Sequence, residues 1–84
     1  MAEHLKRFVY LLRSLDSGRP YVGVTSDVAA RLAAHNAGHC THTARHKPWT
    51  VVVAIEFADQ ERALEFERYL KSGSGWEFSR RHFL

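Results

Sequence analysis

FVYLLRSLDSGRPYVGVTSDVAARLAAHNAG, residues 8–38, is the stretch whose reading decides the fold. Phe8-Val9-Tyr10-Leu11-Leu12 is aromatic and branched, as strands are. Asp16-Ser17-Gly18 supplies turn chemistry. Pro20 to Val24 reads as a second strand, with proline tolerated at its first position. The two runs predict an antiparallel hairpin. Thr25-Ser26-Asp27 clusters N-cap residues ahead of an alanine-rich helix, Val28 to Ala37, with Gly38 as a natural C-cap.

Outward from this block, His39 to Pro48 is polar and reads as a loop. Trp49 to Phe57 contains Val51-Val52-Val53-Ala54-Ile55, a near-continuous apolar run expected of a central strand covered on both faces. Asp59 is positioned to cap a second helix over Gln60 to Ser72, broken by Gly73 and Gly75. Trp76 to His82 reads as a short final helix or turn. The order is β-β-α-β-α with that short C-terminal element. It implies an α+β fold, a small sheet with helices packed on it.

The 84 residues are enough for a single domain, 1–84. With 45% apolar and 25% charged residues, the chain falls outside the range of disordered sequences. Twelve Lys and Arg against nine Asp and Glu leave a net charge of +3, which permits a polyanionic partner without requiring one. Cys40 is the only cysteine, so no intramolecular disulfide is available. The N-terminal apolar run, Phe8 to Leu12, is too short for a signal-peptide core or a membrane span. A cytoplasmic protein without membrane attachment is the expectation.

Four groups of residues can carry chemistry. Tyr10 and Tyr21 share one face of the hairpin if paired residue numbers sum to an odd value. Pairing Tyr10 with Tyr21 leaves a four-residue loop between Arg13 and Gly18. A simple cross-strand packing pair explains two tyrosines equally well. Gly23 inside the strand permits close approach of a ligand or another backbone. Arg31 and His35 are four apart on the first helix and share a face beside Val28 and Leu32. Arginine suits a phosphate, because its fork donates two parallel hydrogen bonds. Histidine suits proton transfer. A solvated helix face is the plainer alternative.

Glu67 is the third. Ala63, Phe66, Glu67 and Leu70 follow the spacing of a buried helix face, so a carboxylate occupies a core position. Such a group needs a cation. A divalent metal would serve, and Mg²⁺ is usually held by one or two carboxylates with water and phosphate. Arg31 or Arg68 would serve as structural partners instead.

The fourth group is basic. Among His35, His39, His42 and His46, no CxxC or HExxH frame supports zinc. Arg45, His46 and Lys47 read rather as a rim for phosphate. Lys71, Arg80 and Arg81 lie among Trp76, Phe78 and Phe83, a mixture that can track a single strand. Completing the core is the alternative for those aromatics.

The order of these signals is more specific than any one of them. Phe8-Val9-Tyr10, then Tyr21-Val22-Gly23, then Arg31 and His35, then Ala63-x-x-x-Glu67-x-x-Leu70-Lys71 resembles the GIY-YIG nuclease superfamily over nearly the whole chain. Gly23 to Asp27, Arg31-Leu32-x-x-His35-Asn36-x-Gly38, His42-Thr43-Ala44 before Pro48-Trp49, and Tyr69 to Gly75 are similar to its short bacterial stand-alone members. The resemblance implies a three-stranded antiparallel sheet flanked by helices. It also implies nucleic-acid hydrolysis with one divalent metal, Mg²⁺ or Mn²⁺. By position, Glu67 would be the metal ligand and Arg31 would bind the scissile phosphate. Tyr10, Tyr21 and His35 would surround the attacking water, with the general base unassigned between the tyrosines. Two departures stand out. Phe8 and Val9 replace the glycine and isoleucine of the first motif, and no asparagine follows Asn36, although some members place one near the metal.

The expected function is therefore a metal-dependent nuclease. DNA is favoured over RNA, with single-stranded or branched forms in view, because so small a domain reads few bases. The superfamily's roles include DNA repair. The alternative is a nucleic-acid-binding module that kept the fold and lost catalysis. A purely structural role would instead close the surface over Tyr10 and Glu67.

Overall fold

A computed structural model describes residues 7–84. The reading of the N-terminal segment before Arg7 lies outside the described residues. The elements are β1 (Arg7–Ser14), β2 (Pro20–Thr25), α1 (Val28–Asn36), α2 (Thr41–Ala44), β3 (Trp49–Phe57), α3 (Gln60–Leu70) and α4 (Gly73–His82). The three strands form one antiparallel sheet in the order β2-β1-β3. This is the expected α+β architecture.

β1 is the central strand, and Val9 to Leu12 are all buried. Its side chains alternate between two helix-covered layers. Tyr10 and Leu12 point to one layer with Trp49, Tyr21, Val28, Leu32 and Val51. Val9 points to the other, where Ala63 and Leu70 of α3 pack with Val22, Val24, Phe57, Phe66 and Phe78. α1 thus covers one face of the sheet and α3 with α4 the other.

The expectation that Trp49–Phe57 is central is corrected: β3 is an edge strand. A bulge explains its misleading pattern. Leu11 pairs with Val53 but Leu12 with Val51, so Val52 is an extra residue. Before it, Trp49 and Val51 face α1. After it, Val53, Ile55 and Phe57 face α3. Two half-buried segments of opposite phase, joined at Val52, read as one continuous apolar run.

The hairpin keeps its odd register, but not the expected pairing. Tyr10 pairs with Gly23 and Tyr21 with Leu12. The loop is longer because buried Ser14 organises it. Ser14 Oγ accepts hydrogen bonds from the Asp16 and Ser17 amides at 3.1 and 2.9 Å. It also donates to the His46 carbonyl at 2.5 Å. Gly18 takes the positive φ that the turn requires.

Three helix expectations change in detail. The polar segment before Pro48 contains the short helix α2. α3 stops at Leu70, two residues before the expected Ser72. The glycines do not break it but open α4, a ten-residue helix rather than a short tail. Ser72 caps α4 by accepting from the Gly75 amide. A β-carbon on Gly75 would collide with the Tyr69 carbonyl, so only glycine fits this elbow. Among the described residues no helix is long and apolar enough to cross a membrane.

Candidate active site

Tyr10, buried on the central strand, reaches under α1. Its hydroxyl lies 3.0 Å from His35 Nε2. His35, wholly buried, meets Thr43 Oγ1 through Nδ1 at 2.8 Å. Thr43 Oγ1 in turn donates to the Cys40 carbonyl at 3.3 Å. A hydroxyl that gives away its one proton must accept from Nδ1–H, so Nε2 is the acceptor and Tyr10 the donor. The network assigns a neutral imidazole and a protonated phenol.

The electrostatics agree. Burial pushes Tyr10 from 10.0 up to about 12, although a hydrogen bond to Arg31 works against it. His35 is held below its ordinary 6.5 by burial and by the nearby Arg31 charge. Arg31 is raised, chiefly by its hydrogen bond to the Tyr10 phenol.

Gly23 makes the arrangement possible. Tyr10 lies directly across it, and a β-carbon there would sit 2.5 Å from the phenol oxygen. The strand glycine therefore admits a side chain rather than a ligand. Tyr21 packs edge-on to His35 with ring centroids 4.9 Å apart, and stands 6.2 Å from both Tyr10 and Trp49. Tyr21 is half-buried and Arg31 is exposed. Four of the five expected residues are thus brought together, two sealed and two open to solvent.

Glu67 stands apart, on α3 across the sheet. Its partner is neither Arg31 nor Arg68 but Lys71, with Nζ 3.0 Å from Oε2. Among the described residues no hydrogen bond or ion pair joins it to the other four. A cavity of about 360 Å³ is lined by Tyr21 and by Lys71, the ion-pair partner of Glu67. The Glu67 side chain is 20% exposed, open enough for a ligand. One such carboxylate fits a Mg²⁺-type ion completed by water and phosphate oxygens. Among the described residues no three His, Cys, Asp or Glu side chains gather for a metal. The closed surface of a purely structural role is present over Tyr10 but not over Glu67.

Of the basic candidates, Lys71 is tied to Glu67, and Arg80 and Arg81 both to Glu77. Arg45 and Lys47 are exposed and unpaired among the described residues, while His46 sits 6.4 Å from the Trp49 ring. Thr43 and Asn36 escaped the reading of individual side chains. Asn36 clips α1 to β3, accepting from the Trp49 amide at 2.5 Å and donating to its carbonyl at 3.1 Å. The Trp49 indole donates to the Thr43 carbonyl at 2.9 Å. Both residues stand inside motifs shared with the family's short members, His42-Thr43-Ala44 and His35-Asn36, and those motifs were their signal in the sequence.

The family profile described as GIY-YIG catalytic domain matches residues 6–76. The chain belongs to the GIY-YIG family. That family is one of nucleases, which implies a nucleic-acid substrate and, generally, a divalent metal. UPF0213 proteins of Yersinia pestis (strain Pestoides F) and Yersinia pseudotuberculosis serotype O:3 (strain YPIII) are 44% identical over 64 residues. The match spans 75% of this chain and 66% of each relative, just under two thirds of their length. The solution NMR structure of the UPF0213 protein BH0048 from Bacillus halodurans is also similar. It has 31% identity and a TM-score of 0.53, over 86% of this chain and 79% of that one. This GIY-YIG domain thus resembles short stand-alone proteins, as its motifs suggested.

Proposed function

We propose that this GIY-YIG chain hydrolyses phosphodiester bonds of DNA, favouring single-stranded or branched forms, with Mg²⁺ or Mn²⁺. The observation that carries the reading is the Tyr10–His35–Thr43 chain with Arg31 at the Tyr10 phenol. That network leaves the Arg31 guanidinium exposed and fixed in charge beside half-open Tyr21.

The roles separate by exposure. Arg31 grips the scissile phosphate and stabilises the charge that grows on it. Tyr10 donates to His35 and titrates near 12, so it is the wrong group to accept a proton at neutral pH. It positions Arg31 instead. Tyr21 is the phenol open to the attacking water, with Arg31 supplying positive charge nearby. His35 holds both rings in place. Glu67 would hold the divalent ion, which supplies Lewis-acid stabilisation of the phosphoryl oxygens.

The test is a cleavage panel of single- and double-stranded DNA and RNA, with and without metal. Arg31→Ala and Glu67→Ala are each expected to lower the rate by roughly 10²–10³. Equal cleavage by these variants and wild type overturns the assignment. A second reading, binding without catalysis, draws on the sealing of Tyr10 and His35, which are 1% and 0% exposed. Turnover abolished by Glu67→Ala excludes it.

A further inference from the structure

The cavity between Tyr21 and Lys71 is not needed to explain phosphate binding, and its walls are wrong for an anion. Leu11, Val22 and Leu70 make up much of its lining, and the charge of Lys71 there is already met by Glu67. A phosphate would lose its hydration there without return. A flat, uncharged ring would not. The volume, about 360 Å³, lies within the usual range of ligand pockets.

Two α4 residues give the cavity recognition chemistry. Trp76 lines it and is 42% exposed, although Phe78 and Phe83 on the same segment pack together at 5.5 Å. The core has used the phenylalanines and left the indole at the opening. Ser79, one helical turn on, also lines the cavity, and its buried hydroxyl has no hydrogen-bond partner. A hydroxyl both donates and accepts, so an edge atom of a nucleobase would satisfy it.

Tyr21 belongs both to the cavity and to the aromatic cluster of the active site. Lys71 belongs to the cavity and to the Glu67 ion pair. We infer that the cavity is a base-binding subsite: an unpaired nucleobase of the strand being cut stacks on Trp76 and meets Ser79, while its backbone crosses Tyr21 and Arg31. The inference rests on the proposed nuclease reading and sharpens its substrate to strands carrying an unpaired base near the scissile bond.

Binding is measured with metal chelated, so that cleavage does not intervene. The probes are labelled single-stranded DNA and RNA oligonucleotides, a blunt duplex, and a fully abasic strand of equal length. Trp76→Ala is expected to weaken base-bearing single strands about 5- to 150-fold, the usual loss of one base–aromatic stack. Trp76→Phe should retain most of the affinity, and both variants should bind the abasic strand as wild type does. Ser79→Ala should change the preference among homopolymers. Trp49 remains in Trp76→Phe, so fluorescence quenching by oligonucleotide that is lost in that variant reports Trp76. DNA and RNA arms show which sugar the backbone path accepts.

Unchanged affinity in Trp76→Ala, or equal binding of base-bearing and abasic strands by wild type, overturns the subsite. If Arg31-dependent cleavage persists in that case, the nuclease reading stands without it. Base-dependent binding with no cleavage on any metal-supplemented substrate keeps the subsite and overturns hydrolysis.

Discussion

A buried histidine bonded at both ring nitrogens cannot take a second proton without losing a partner. His35 accepts at Nε2 and donates at Nδ1, so protonation sets its new N–H against the Tyr10 O–H. The consequence for stability has a definite sign. Unfolded, His35 titrates near 6.5; folded, it titrates lower. Between those values the unfolded chain binds the extra proton, so stability is full above about pH 6.5 and falls as pH drops through the folded value. Tyr10 acts at the other end. Its phenol ionises near 10.0 unfolded and at about 12 folded, so stability falls as pH rises across that window. Urea midpoints measured across pH should show both arms. Tyr10→Phe should remove the alkaline one and shallow the acidic one. A profile unchanged by Tyr10→Phe would contradict the assigned network.

At the scale of elements, the elbow between α3 and α4 is a close backbone joint. Gly75 packs on the Tyr69 carbonyl, a backbone atom that cannot swing aside, whereas a β-carbon on Gly73 would meet open space. Gly75→Ala should therefore cost about 1–3 kcal/mol or more by overpacking. Gly73→Ala should gain up to about 1 kcal/mol by stiffening the unfolded chain. Chemical denaturation of the two variants checks the contrast; equal effects would mean the elbow is not strained by bulk. The same joint shows what sequence can and cannot give. Gly73 and Gly75 read locally as breakers, because nothing in the local sequence shows that Gly75 must pack on the backbone of the preceding helix while Gly73 meets nothing. Likewise, the valine run of β3 reads as central because the bulge at Val52 is invisible without its partner strand. Alternation made the shared face of Tyr10 and Tyr21 conditional on an odd hairpin register, and the strand pairing supplies that register. The hairpin's offset was not legible, since buried Ser14 sets the loop. Arg31 and His35 were legible as a helix pair. The link from His35 to Thr43 was not, because it runs through a polar segment without periodicity.

For the whole molecule, a charge of +3 says less about nucleic acid than the distribution of free cations does. Arg80 and Arg81 share Glu77, and Lys71 is held by Glu67, so a phosphate must compete with a carboxylate for each. Arg45 and Lys47 face no such competitor among the described residues, and they flank His46 beside Trp49, at the end of the aromatic row through Tyr21 to His35. A phosphate contact releases counterions, and on a single strand each adds roughly 0.7 to the slope of log affinity against log salt. Replacing Arg45 and Lys47 together by glutamine should lower that slope by about 1.4. Replacing Arg80 and Arg81 should lower it less, because these arginines already have a counter-charge in the free protein. Titrations of a single-stranded oligonucleotide over a range of salt concentrations, with metal chelated, give both slopes. If the two double variants lose equal slope, Arg80 and Arg81 meet phosphate as fully as Arg45 and Lys47 do, and the pairing with Glu77 does not discount them.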